Sequence, residues 1–289
     1  MNRISEQATG RLTRSDVLRE AADGGRFRLT FLDLPQPSGA PIVYLPGMFT
    51  GRNFWLSERG IGLAAYLAEA GHPGVIVERR RPQAARAGLE EHIRYDLPLV
   101  QAEIQQRWER AAFWVGHSFG GVLAARAIGS TLDQQAVAGL VVFASQFEVG
   151  KHGLATPGHL LTLGICKLLG NFPARRLGMG PQDEPPAAMQ DAVRIVRHGR
   201  SKPEIRRTLN TIDRPLLAIS GLGDKVDPTK GCERLVSHVG SKDRQFIAAG
   251  RQTGFALDYD HPGIVVSKPA QQEIWPIVRD WLSKRAPTG

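Results

Sequence analysis

Between an apolar run and a helix-like segment lies Gly116-His117-Ser118-Phe119-Gly120-Gly121, the stretch that most constrains how this chain folds. Ala112-Phe113-Trp114-Val115 has the continuity of a buried strand, and Val122-Leu123-Ala124-Ala125-Arg126-Ala127-Ile128 reads as a helix. A strand passing straight into a helix must turn sharply, which forces the serine at the bend into strained backbone angles. Glycines two places before and two after it remove the Cβ atoms that would meet neighbouring backbone. The bend sets the Ser118 hydroxyl at a helix N-terminus, where unpaired N–H groups and the helix dipole favour developing negative charge. Gly-x-Ser-x-Gly also arises by chance, so the rest of the chain decides its meaning.

On either side of the bend, strand and helix patterns alternate. Arg26–Leu32 alternates at period two, as a half-buried antiparallel strand does, and Ile42–Leu45 is a short apolar run ending in Pro46-Gly47. A helix is expected over Leu63–Ala70, a strand over Gly74–Val77, a helix over 89–108 and a strand over Gly139–Ala144. Beyond residue 147 the alternation stops. Leu160, Leu161, Leu163, Ile165, Leu168 and Leu169 lie between Pro157 and Gly170 as an apolar helix, and a second helix presents Met189, Val193 and Val196 on one face. Strand and helix resume with Leu216–Ser220, a helix near 229–238, Gln245–Ala248 and a closing helix over Gln271–Leu282. This order predicts an α/β fold: a mostly parallel central sheet with helices on both faces and a helical cap insertion. The expected division is a peripheral segment over 1–25, a core over 26–146 and 215–289, and a cap over 147–214.

With 289 residues, 42% hydrophobic and 22% charged, the chain has the composition of an ordinary globular protein with a large core. Cys166 and Cys232 show neither metal-type nor disulfide-framework spacing, which fits a reducing compartment. The N-terminus lacks the apolar stretch of a signal peptide, and no run approaches the roughly 18 apolar residues of a membrane span, so a cytoplasmic location is expected. The net charge of +9 is uneven: residues 151–214 hold 11 Lys/Arg against 5 Asp/Glu, an excess of 11 − 5 = +6. Such a cap is compatible with anionic substrates, with peripheral membrane contact, or with a merely solvated surface. No basic helix is interleaved with stacking aromatics, so no nucleic-acid partner is expected. Oligomeric state is not written in the chain.

Serine needs a base to become a nucleophile, and the base needs an orienting carboxylate. The acid should follow a strand beyond the cap. Gly221-Leu222-Gly223-Asp224 follows Leu216–Ser220, making Asp224 the candidate and Asp227 the fallback. His261, in the loop Gly254–Gly263, is the histidine that follows both Asp224 and the final strand pattern. Chain order Ser118, Asp224, His261 is that of the serine hydrolase arrangement. Two backbone N–H groups should form an oxyanion hole: Phe119, after the serine, and a residue of Pro46-Gly47-Met48-Phe49, with Met48 preferred and Phe49 second. The expected acyl site takes in Phe49, Leu160 and Leu161. No metal or other cofactor is needed.

Leu45-Pro46-Gly47-Met48-Phe49, the Gly116–Gly121 bend, Gly221-Leu222-Gly223-Asp224 and Asp260-His261-Pro262-Gly263 together resemble the α/β-hydrolase superfamily, in its serine esterase and lipase-like branch, from about Phe27 to Leu282. The segment Phe172–Gly180 is similar to the cap of bacterial hydrolases and, more distantly, of polyester synthases. Those synthases carry cysteine at the nucleophile; Ser118 here favours hydrolysis. Many members have His-Gly at the oxyanion loop, whereas Leu45-Pro46 precedes Gly47 in this chain. The resemblance implies a carboxylic ester hydrolase acting on a small-molecule ester or acyl substrate. Thioesterase or acyltransferase activity shares the same acyl-enzyme, and a non-catalytic binding or scaffold protein is the alternative from another class.

Overall fold

In β6 (Ala112–His117), Phe113 and Val115 pack into one core while Ala112 and Trp114 pack into another, so the sheet is covered on both faces. The computed structural model describes residues 3–9, 12–82 and 85–285. Among the described residues, nine strands form one sheet. Its order is β1 (Arg3–Thr9), β2 (Leu12–Glu20), β3 (Arg26–Asp33), β5 (Gly74–Glu78), β4 (Ile42–Leu45), β6, β7 (Val137–Phe143), β8 (Leu216–Gly221) and β9 (Arg244–Ala249). Pairing is antiparallel from β1 through β3 to β5 and parallel from β5 to β9.

The helices are α1 (Leu63–Glu69), α2 (Leu89–Glu91), α3 (Leu97–Trp108), α4 (Phe119–Ser130), α5 (His159–Leu169), α6 (Pro186–Ser201), α7 (Glu204–Asn210), α8 (Thr229–His238), α9 (Gly263–Val266) and α10 (Lys268–Ser283). Residues of α3, α4 and α8 belong to one core; those of α1, α9 and α10 belong to the other. Strands at the centre of such a sheet are apolar throughout, and β6 and β8 are buried along their whole length.

Residues 12–20, part of the segment expected at the periphery, form a strand next to one edge of the sheet, paired along its length with β3. Its buried positions are Ser15, Asp16 and Val17, so no apolar alternation marks it in the sequence. Asp16 is satisfied there by the Thr30 hydroxyl at 2.6 Å and the Arg52 guanidinium at 2.8 Å. Between β7 and β8 the chain leaves the sheet for α5 and α6, and α7 then packs against α4 and α8. Asp191 anchors α6: fully buried, it accepts hydrogen bonds from Arg86 at 2.7 and 2.8 Å and from the Glu90 N–H at 3.2 Å. No helix among the described residues is long and apolar enough to cross a membrane.

Candidate active site

The bend after β6 is as tight as its glycines require. Ser118 has φ 54° and ψ −128°, a left-handed strained conformation, and α4 begins at the next residue. A Cβ on Gly116 would stand 2.4 Å from the Gly121 nitrogen, and one on Gly120 would stand 2.3 Å from the Leu45 carbonyl oxygen. Neither contact can relax, because both partners are backbone. The Ser118 N–H donates to the Phe143 carbonyl at 2.8 Å, which ties the bend to β7.

β8 and the loop after β9 bring the two sequence-predicted partners together. His261 Nδ1 lies 2.8 Å from Asp224 Oδ2. A carboxylate oxygen accepts in this pair, so Nδ1 is the ring nitrogen that donates, and among the described residues Nε2 has no hydrogen-bond partner. The other Asp224 oxygen accepts the N–H groups of Val226 and Asp227, each at 2.8 Å, which fixes the carboxylate. His117 steadies the histidine loop by donating from Nε2 to the His261 carbonyl at 2.8 Å. Burial, and then repulsion from His261, hold the His117 imidazole well below its ordinary pKa, so it stays neutral.

Asp227, the fallback acid, occupies a different position. Its Oδ2 accepts the Ser118 hydroxyl at 3.3 Å, and its Oδ1 accepts from Gln146 Nε2 at 2.7 Å and pairs with the Lys151 ammonium. Lys151 also lies over the Phe119 ring, 5.0 Å from its centroid. In this rotamer the serine therefore faces Asp227 rather than His261.

The loop after β4 is held from both sides. Arg79 donates to the Pro46 and Gly47 carbonyls at 3.1 and 2.9 Å and pairs with the buried carboxylate of Glu184. Glu184 in turn accepts the Phe49 N–H at 2.8 Å. That contact removes Phe49 as a free donor. Among the described residues, the Met48 and Phe119 N–H groups have no protein acceptor. Glu184→Ala would leave the largely buried Arg79 guanidinium without its counter-charge and is expected to destabilise the fold by up to about 3 kcal/mol, read as a lowered thermal midpoint.

No family model matches the chain, and no curated protein matches it in sequence. Solved structures do. A soluble variant of monoglyceride lipase from Saccharomyces cerevisiae, in complex with a substrate analogue, aligns with a TM-score of 0.68 and 16% identity over 98% of this chain and 97% of that one. The α/β hydrolase GrgF from Penicillium sp. sh18 gives a TM-score of 0.70 and 12% identity over 95% of this chain and 99% of the other. Alpha/beta hydrolase domain-containing protein 10 from mouse gives 0.62 and 17% over 93% and 98%. The chain has the α/β-hydrolase fold.

In this α/β-hydrolase fold the bend opens on a cavity of about 1230 Å³, with Ser118 and His261 on its wall. Its lining includes the apolar side chains of Met48, Phe119, Leu154, Phe172 and Met189 and the polar ones of Arg52, Glu58, Glu78 and Gln182. Phe49, expected at the acyl site, lines the cavity and stacks on Phe172 with ring centroids 5.6 Å apart. Leu160 and Leu161 do not line it. Both sit on the outward face of α5, and Thr162 is the residue of that helix that reaches the cavity. Periodicity marks a face as apolar without saying which way it turns. Arg175 and Arg176 are likewise exposed and outside the lining.

Sequence reading missed Arg79, Gln146, Lys151, Glu184 and His117 as neighbours of the site. All but His117 reach it from distant segments, and no local pattern links them. His117 was within the motif itself. Neither cysteine offers a rival nucleophile: burial pushes the Cys232 thiol up to about 12 and also raises that of Cys166.

Proposed function

We propose that this α/β hydrolase is a serine esterase that cleaves carboxylic esters of moderately apolar acyl groups through an acyl-enzyme on Ser118. One observation carries the reading: a serine in strained left-handed backbone on a cavity wall it shares with His261, a histidine whose Nδ1 is held by Asp224.

A turn of the Ser118 side chain from Asp227 toward His261 Nε2 starts the reaction. The oxygen attacks the ester carbonyl while His261 takes its proton, and Asp224 stabilises the imidazolium. The Met48 and Phe119 N–H groups receive the oxyanion, each typically worth about 2.7–4 kcal/mol of transition-state stabilisation. Collapse of the tetrahedral intermediate expels the alcohol, which takes the proton from His261. Water then attacks the acyl-enzyme by the same route and releases the acid. Lys151 offsets the Asp227 charge, which would otherwise oppose the oxyanion nearby.

The apolar side chains in the cavity lining suit a moderately apolar acyl chain. Thioesterase and acyltransferase activity use the same acyl-enzyme and differ only in the leaving group or the acceptor. A non-catalytic role would leave the strained serine and the oriented histidine without a purpose.

The test is acid quenching of a reaction with a short p-nitrophenyl ester, followed by intact-protein mass spectrometry. One acyl group on Ser118 is expected. A competing alcohol added at rising concentration then separates hydrolysis from transfer by the product ratio. Turnover with no acyl-enzyme under any quench would remove this mechanism.

A further inference from the structure

Helix α5 is built inside out. Its buried face consists of His159, Thr162 and Cys166, and its outward face carries Leu160, Leu161 and Leu168 at 66%, 71% and 84% exposure. At 3.6 residues per turn, positions 160, 161, 164, 167 and 168 fall on one side of the helix. A surface helix normally turns its polar residues to solvent. Here the inward polar groups include Thr162, whose hydroxyl donates to the Gly153 carbonyl at 2.6 Å, and the leucines are left outside.

Lys167 shares the leucine face. Arg175 and Arg176 are exposed on the segment that follows, next to the exposed Leu177 and Met179. Met179 also lines the cavity, as do the exposed Val226 and Val266, so the cavity lining includes exposed apolar side chains.

Charge and composition select what covers this face. A second copy would set like-charged patches of a chain with net charge +9 against each other. Protein partners are typically held by aromatic anchors in packed pockets, and neither this helix face nor Arg175–Met179 carries an aromatic residue. Long aliphatic side chains flanked by lysine and arginine match the boundary between acyl chains and anionic headgroups.

We propose that the outward face of α5, together with Arg175–Met179, docks on an anionic lipid bilayer. The leucines enter the acyl boundary, Lys167, Arg175 and Arg176 meet headgroup phosphates, and the cavity rim opens toward the lipid. Docking is independent of the chemistry at Ser118.

The test is flotation of the Ser118→Ala protein with vesicles, so that binding is read without turnover. The vesicles are pure phosphatidylcholine, or phosphatidylcholine containing about one-third phosphatidylglycerol. Binding to the anionic vesicles is expected to be at least about tenfold stronger than to the neutral ones at low salt. Adding Leu160→Gln, Leu161→Gln and Leu168→Gln together should weaken it at least about tenfold. Arg175→Ser with Arg176→Ser should shrink the preference for anionic vesicles, and both variants should keep the parental thermal midpoint. If the leucine variant does not fold, the arginine variant alone carries the test. Failure of the Ser118→Ala protein to float with either vesicle would overturn the proposal, as would equal binding by all the folded variants. Concentration-dependent dimers that the leucine substitutions abolish, with no vesicle binding, would assign the face to a second copy instead.

Discussion

Ser118→Ala is expected to lower kcat toward a soluble ester by about 10⁶, with little change in the thermal midpoint. On the proposed mechanism the loss is large because nucleophile, base and acid act as one unit, so removing the attacking oxygen idles the other two. What survives is the contribution of the oxyanion donors and of substrate binding, and both are untouched when the change deletes one side-chain oxygen. The fold should tolerate it for two reasons. Alanine meets the same strain at φ 54° that serine already bears. Asp227 loses one hydrogen bond but keeps Gln146 and Lys151. A fall of less than about tenfold would mean that another group attacks the substrate.

The second large effect separates the two aspartates. Asp224→Asn is expected to cost about 10⁴ in kcat, because an amide facing His261 Nδ1 favours the wrong tautomer and leaves the imidazolium unsupported. Asp227→Asn should cost far less in turnover and more in stability, since it leaves the nearly buried Lys151 ammonium without its counter-charge. Activity measured on both variants, each alongside a thermal midpoint, reads the difference. A larger kcat loss at Asp227 than at Asp224 would reverse the roles assigned here.

Local chemistry made much of this legible. The alternation of apolar runs and helical faces marked the parallel part of the sheet, because central strands buried on both sides cannot hide their composition. The bend at Ser118 was legible for a similar reason: backbone crowding leaves only glycine at Gly116 and Gly120. Three features were not. β2 went unnoticed because its buried positions include Ser15 and Asp16, whose burial depends on Thr30 and Arg52 elsewhere in the chain. The leucines of α5 read as pocket or core, since helical period gives a face but no direction. Glu184, far along the chain from both Phe49 and Arg79, had no local signature, although it fixes which N–H of the loop stays free.

The central claim is that Ser118 is a nucleophile activated by His261. The most direct measurement is intact-protein mass spectrometry after exposure to a serine-directed phosphonate, on the native chain, Ser118→Ala and His261→Ala. One adduct on Ser118 is expected in the native chain, none in Ser118→Ala, and strongly slowed labelling in His261→Ala. Equal labelling of the native chain and Ser118→Ala would contradict the claim.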